Sequence, residues 1–95
     1  MTNYRLTDAA REDLENIYRY GLRTFGVQQA DRYYFGLVNC LARIAENPLL
    51  YPAVDHIKPG YRRCTYISER IYFRIENDTV IISAIIGRQD AFKRL

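Results

Sequence analysis

The sequence predicts an α+β fold in two layers, a helical hairpin packed on a small antiparallel sheet, with the elements in the order β-α-α-β-β-β. Its 95 residues suffice for one domain and are too few for two independent cores, so we expect a single domain over residues 1–95. Apolar residues recur at intervals of three and four before residue 47, and at intervals of two after residue 60. Helices followed by strands, rather than alternating with them, are typical of the α+β class.

The helical region has recognisable boundaries. After a short alternating segment over 3–6, Thr7 is suited to cap a helix, because its hydroxyl can accept a backbone N–H of the first turn. Gly26 is suited to end that helix, because glycine adopts positive φ without a steric cost. A second helix then runs to Asn47, since Pro48 disfavours helix at the residue before it. The joint is short, so the two helices are expected to be antiparallel neighbours.

Three strands are predicted after a loop over 49–60 that contains two prolines and a glycine. They are expected over 61–67, 70–76 and 80–86, with the pair Asn77-Asp78 as a two-residue hairpin turn between the last two. The last of them is apolar on both faces over most of its length, as expected of a central strand.

The apolar faces of these elements predict a single core between the helices and the sheet. We expect its members to include Leu14, Ile17, Leu37, Leu41, Ile71, Phe73 and Ile82.

The polar face of the middle strand is the first candidate binding surface. Arg70, Tyr72 and Arg74 alternate with apolar residues, so they are predicted to face water together. Arg62 and Tyr66 belong to the preceding strand and are candidates for the same face. Arginine and tyrosine together favour contacts with protein or RNA, because a guanidinium binds phosphate or carboxylate and a phenol ring stacks.

Positive charge is concentrated in the C-terminal part of the chain. Through Ile57 there are six basic and seven acidic residues, whereas from Lys58 onward there are eight basic and four acidic residues. The net charge of +3 therefore comes from the second half, which we expect to face an acidic protein or a nucleic acid. A basic surface that only aids solubility is the alternative.

Several classes of protein are disfavoured. No run of about 18 apolar residues is present, and the N-terminus lacks a signal-peptide pattern, so we expect a cytoplasmic protein with no membrane partner. Cys40 and Cys64 have no metal-ligand spacing and are interpreted as small buried hydrophobes rather than a disulfide. We expect no metal and no cofactor.

Standard catalytic motifs are absent from the sequence. Acid–base cleavage of RNA needs a group that accepts a proton near neutral pH, and His56 is the only unperturbed candidate. It lies in the proline-bounded loop, where an exposed histidine without a catalytic role is the favoured interpretation. A nuclease would therefore be poorly equipped.

Short segments in a specific order and spacing resemble a known toxin family across almost the whole chain. They are Leu6-Thr7, Ala9-Ala10, 13–17, Phe25-Gly26, Gln29-Ala30 before Tyr33, 44–48, 59–63, 72–75 and 85–90. Each segment alone is weak, but together they are similar to the ParE branch of the RelE/ParE toxin superfamily. The resemblance implies the RelE/ParE-like fold.

The resemblance also implies a function. ParE-type toxins belong to type II toxin–antitoxin systems, inhibit DNA gyrase and thereby replication and growth, and are neutralised by a ParD-type antitoxin that wraps the toxin. A hetero-oligomer with the antitoxin is therefore expected, with no enzymatic activity and no sequence-specific DNA binding by the toxin alone. The alternatives are a ribosome-dependent mRNA endonuclease similar to RelE, and an interaction module without toxicity. RelE-like nucleases commonly carry a tyrosine or a His-Tyr pair near the C-terminus, whereas 88–92 contains neither.

The basic end of the chain is the second candidate binding surface. Arg88, Lys93 and Arg94 follow the last predicted strand in a polar segment. We expect them to contribute to inhibition of the target without holding the fold together. The alternative for Arg88 is an ion pair with Asp90 or another carboxylate at the end of the strand.

Overall fold

The computed structural model describes residues 3–87, and its elements follow the predicted order. Their bounds are β1 Asn3–Leu6, α1 Asp8–Phe25, α2 Val27–Glu46, a short 3-10 turn Pro48–Leu50, β2 Arg62–Tyr66, β3 Glu69–Glu76 and β4 Thr79–Gly87. The two-layer α+β class is thereby confirmed. Within residues 3–87, neither helix is long and apolar enough to cross a membrane.

The helical hairpin forms through the local signals that the sequence carries. The hydroxyl of Thr7 accepts the backbone N–H of Ala10 at 3.1 Å and so caps α1. Gly26 alone joins the helices, with φ 91°, a conformation that favours glycine. The helices approach closely near this joint, since a Cβ placed on Gly21 would lie 3.2 Å from the Cβ of Ala30.

The sheet is mixed, whereas the sequence predicted a purely antiparallel one. Its strand order is β1-β4-β3-β2, and β1 pairs with β4 in parallel while the other pairs are antiparallel. No local turn links β1 to β4, because the helical hairpin and two strands lie between them in the chain. In contrast, Asn77 and Asp78 form the predicted two-residue turn, both with positive φ.

Thr7, which caps α1, and Asp13 within α1 satisfy the backbone of β4 beyond the end of β1. The backbone N–H of Thr7 donates to Ile82 at 3.0 Å, and its hydroxyl donates to the carbonyl of Ser83 at 3.2 Å. One turn later, the carboxylate of Asp13 accepts the N–H of Ile85 at 3.0 Å. These bonds fix α1 across the central strand and pair backbone groups that would otherwise be buried without partners.

The predicted core lies between the hairpin and the sheet. Six of its seven expected members are buried, and Ile17 packs against them while partly exposed. The fully buried members are Leu37, Leu41, Ile71, Phe73 and Ile82.

A second, smaller core covers the other face of the sheet, where the sequence predicted water. The segment between the 3-10 turn and β2, residues 51–61, folds back over this face, and we call it the covering loop. Its Val54 and Tyr61 pack on Tyr72, Ala84 and Ile86. The prediction that Tyr72 faces water is therefore wrong, because its side chain is 0% exposed. The polar alternation of β3 gave no sign that a loop from elsewhere in the chain would cover it.

Candidate functional site

Four arginines share the sheet face that points away from the helices. Residues opposite each other on neighbouring strands lie on the same face, so Arg63 lies with Tyr72, and Arg70 with Ile86. Arg74 and Arg5 both pair with Ile81, from its two sides. We call the surface formed by Arg5, Arg63, Arg70 and Arg74 the arginine face.

Arg74 is held in place, whereas the other three arginines of this face have no side-chain partner among the described residues. Its Nη1 donates to the hydroxyls of Tyr61 at 3.2 Å and Ser83 at 3.1 Å, and its Nε contacts the carboxylate of Glu76 at 3.0 Å. Ser83 lies at a shift in the register between β3 and β4, and this irregularity brings its hydroxyl beside Tyr61. No side-chain hydrogen bond or ion pair within residues 3–87 holds the guanidinium groups of Arg5, Arg63 and Arg70.

The surroundings of Tyr61 favour an anion at this position. Burial raises the pKa of its phenol, but hydrogen bonds with Ser83 and Arg74 outweigh that effect and lower the pKa below its ordinary value. Lys58 adds positive charge, with its Nζ 5.2 Å from the centre of the Tyr61 ring. The positive charge of Arg74 and Lys58 beside Tyr61 therefore favours the ionised form of this phenol.

Two predicted members of this surface lie on the opposite face. Arg62 donates to the backbone carbonyl of Tyr51 at 2.6 Å and so holds the chain that follows the helices. Tyr66 packs against the main core, with its ring 5.4 Å from that of Tyr33. Tyr72 is buried, as described above, and its hydroxyl has no hydrogen-bond partner within the described residues. Of the five strand residues considered, Arg70, Tyr72 and Arg74 share one face of the sheet as predicted, but Tyr72 is buried there.

Arg5 and Arg63 were not predicted from the sequence as members of the arginine face. Arg63 alternates with buried Cys64 and could have been assigned to this face from period two alone. Arg5 required the parallel pairing of β1, which no local signal encodes. The other predicted candidates, Arg88, Lys93 and Arg94, lie outside the described residues.

A groove on the opposite side of the molecule runs between the hairpin and the turn that joins β2 to β3. Its volume is about 970 Å³, and aromatic and apolar side chains dominate its lining. We call it the aromatic groove. Its side chains come from Asn16, Ile17, Tyr18, Tyr20, Phe25, Gln29, Ala30, Tyr33, Tyr34, Ile67, Ser68 and Glu69.

Large apolar side chains remain exposed along this groove. Tyr20 is 57% exposed, Phe25 56% and Ile67 68%. Glu69 is the charged residue among the lining side chains that are described, and burial raises its pKa above the ordinary value. The hydroxyl of Tyr33 donates to Glu69 at 3.4 Å, and burial raises the pKa of that phenol to about 12. An exposed apolar surface of this kind is typical of a site for another protein chain.

In the aromatic groove, the described residues bring a phenol and a carboxyl together, since the Tyr33 hydroxyl donates to Glu69. His56 is exposed in the covering loop, as the sequence predicted. Tyr61 and Arg74 are engaged with each other, and Glu76 accepts from Arg74. The described geometry is suited to binding an anion on one side and an apolar segment on the other.

Comparison with known proteins identifies the family. The model of the ParE toxin of type II toxin–antitoxin systems, parDE, matches residues 4–92. The chain is 34% identical over 96 residues to Toxin ParE1 of Mycobacterium tuberculosis, which covers 99% of this chain and 98% of that protein. It is 35% identical over 75 residues to Toxin ParE1 of Caulobacter vibrioides, which covers 79% of this chain and 78% of that protein.

Solved structures share the fold. The chain resembles a chain of the chromosomal ParDE toxin–antitoxin system from P. aeruginosa with a TM-score of 0.82, 20% identity, and coverage of 94% and 98% of the two chains. It resembles a chain of the RelBE2 toxin–antitoxin complex from Mycobacterium tuberculosis with a TM-score of 0.69, 20% identity, and coverage of 92% and 98%.

Proposed function

The chain belongs to the ParE toxin family of type II toxin–antitoxin systems, and on this basis we propose that it inhibits DNA gyrase and is neutralised by a ParD-type antitoxin. The observation that carries the proposal is the family match over residues 4–92, which includes both surfaces described above. Gyrase acts in the cytoplasm, so the toxin is proposed to act there as well.

The proposed mode of action is binding rather than catalysis. The guanidinium groups of Arg63 and Arg70 have no side-chain partner within residues 3–87, and they are suited to carboxylates of a protein or phosphates of its bound DNA. The tyrosine beside them, Tyr61, is engaged in hydrogen bonds, and its side chain is only 8% exposed. These features support an inhibitor that occupies a surface of its target.

The antitoxin is proposed to use both sides of the toxin. An apolar segment would cover Tyr20, Phe25 and Ile67 in the aromatic groove, because removing these exposed apolar side chains from water is favourable in free energy. Acidic side chains would reach the arginine face, so binding should weaken as salt concentration rises. Affinity that is the same at low and high salt would contradict the electrostatic contribution.

The element proposed to face gyrase is the basic end of the chain. Arg88→Ala combined with removal of Lys93 and Arg94 should weaken gyrase inhibition and growth arrest while leaving antitoxin binding intact. The matched control removes an equal charge from exposed helix positions, in the variant Arg11→Ala, Arg23→Ala and Arg32→Ala. If the variant without these three charges still arrests growth and inhibits gyrase at the original dose, the basic end of the chain is not the element that faces the target. Arg63→Ala with Arg70→Ala would then test the arginine face.

Two assays on the purified toxin test the proposed activity. Incubation with gyrase and plasmid DNA should reduce supercoiling or leave broken DNA, whereas incubation with translating ribosomes should leave mRNA intact. Cleaved mRNA with unaffected gyrase would establish the alternative, a RelE-like endonuclease that uses the arginine face to hold RNA. No effect in either assay, with intact antitoxin binding, would identify an interaction module without toxicity.

A further inference from the structure

Two cysteine sulfurs meet in the main core, between α2 and β2. The Sγ atoms of Cys40 and Cys64 are 3.4 Å apart, although the residues are 24 positions apart in the chain. Both side chains are buried, with 4% of Cys40 and 7% of Cys64 exposed. Both are free thiols in this structure. A disulfide bond is about 2.0 Å long, so the sulfurs need to approach by about 1.4 Å to form one.

The contact between the sulfurs shifts the pKa values of the two thiols in opposite directions. The two sulfurs are in hydrogen-bond contact, in which either thiol can donate. This contact, with Arg43 nearby, lowers the pKa of Cys40 to about 7 although burial acts in the opposite direction. The same hydrogen bond raises the pKa of Cys64, which therefore keeps its proton. The 3.4 Å contact therefore places a second thiol where it can attack an oxidised sulfur and resolve it as a disulfide.

We propose that Cys40 and Cys64 form a reversible disulfide that ties α2 to β2 when the protein meets a peroxide. The Cys40 thiolate attacks one peroxide oxygen, the O–O bond breaks, and hydroxide leaves and takes up a proton as water, which gives a sulfenic acid. The Cys64 sulfur then attacks the Cys40 sulfur, the S–S bond forms and the S–O bond breaks. The departing hydroxide takes the Cys64 proton as a second water. The two thiols lose two electrons, and the peroxide is reduced.

The disulfide would close a covalent loop from Cys40 to Cys64, and this loop includes the segment that covers the second core. The closed segment contains the end of α2, the 3-10 turn and the covering loop. A cross-link of this kind restricts the unfolded chain more than the folded one, so the oxidised protein should resist unfolding and proteolysis. The proposal does not depend on gyrase or on the antitoxin.

The test compares the reduced and peroxide-treated full-length protein. Treatment should lower the mass of the protein by two hydrogens at this pair. After digestion with trypsin, peptides 33–43 and 64–70 should remain joined by the disulfide. The melting temperature should rise by at least about 5 °C and return after reduction with dithiothreitol. Peptide mapping separates this change from oxidation of Met1, the one methionine in the chain.

Cys40→Ala and Cys64→Ala serve as matched controls, because each removes one sulfur and leaves the other. Neither variant should form an internal link or gain stability with peroxide. The measurement on the unmodified protein stands even if a variant folds poorly. Three outcomes with the unmodified protein would overturn the proposal: both thiols remain open to alkylation after denaturation, the cysteines link different chains, or Cys40 gains oxygens without a link to Cys64.

Discussion

Replacing Tyr72 with phenylalanine should stabilise this protein. The side chain of Tyr72 is fully buried under the covering loop, and its hydroxyl has no hydrogen-bond partner within residues 3–87. Leaving such a group buried costs about 1–3 kcal/mol, because it loses its hydrogen bonds to water and gains none in return. Loss of packing around one oxygen offsets part of this, so Tyr72→Phe should raise the free energy of unfolding by about 1 kcal/mol.

The measurement is a urea titration, supported by thermal unfolding. A gain of about 1 kcal/mol in a domain of this size corresponds to a melting temperature higher by about 4–8 °C. Tyr61→Phe is the matched control, because it removes a hydroxyl that is bonded to Arg74 and Ser83 and should lower stability by about 1 kcal/mol. Unchanged or lower stability of Tyr72→Phe would show that the hydroxyl has a partner, and would refute this account of the second core.

Three further predictions concern the core, the sheet face and the groove. Leu41 is 1% exposed, so Leu41→Ala should cost about 2–5 kcal/mol in the same titration, and a loss below about 1 kcal/mol would remove it from the core. Arg62→Ala should lower the free energy of unfolding by about 1–3 kcal/mol, because it leaves the carbonyl of Tyr51 unpaired. Arg63→Ala should change it by no more than about 0.5 kcal/mol. Equal losses in the two variants would contradict the assignment of these arginines to different faces. Burial raises the pKa of Glu69, so its carboxylate destabilises the folded state above that pKa, and the penalty disappears as pH falls below the unfolded value. Glu69→Gln should therefore stabilise the protein at neutral pH and lose this advantage in acid, which unfolding measured across pH will check.

Local signals were sufficient for most of the architecture. Thr7, Gly26 and Pro48 mark the ends of the helices through capping, positive φ and steric exclusion, and all three act within a few residues. The turn at Asn77-Asp78 is equally local. The main core also followed from the sequence, because helical and strand periodicities determine which side chains share a face.

Only part of the candidate site could be predicted, because periodicity assigns side chains to a face within one strand and does not pair distant strands. Period two places Arg70 and Arg74 together, and it would have placed Arg63 with them. It also separates Arg62 from this face, since neighbours along a strand point in opposite directions.

What the sequence determined by itself was the identity of the elements, the members of the main core and the resemblance to ParE toxins. Only the tertiary structure decided that β1 joins β4 in parallel, which adds Arg5 to the arginine face. It also decided that the covering loop buries Tyr72, and that Cys40 meets Cys64. Each of these contacts joins residues that are distant in the chain. They form because apolar surface on both faces of the sheet must be covered by other segments of the chain. Periodicity describes one element at a time, so it carries no information about which distant segment completes that cover.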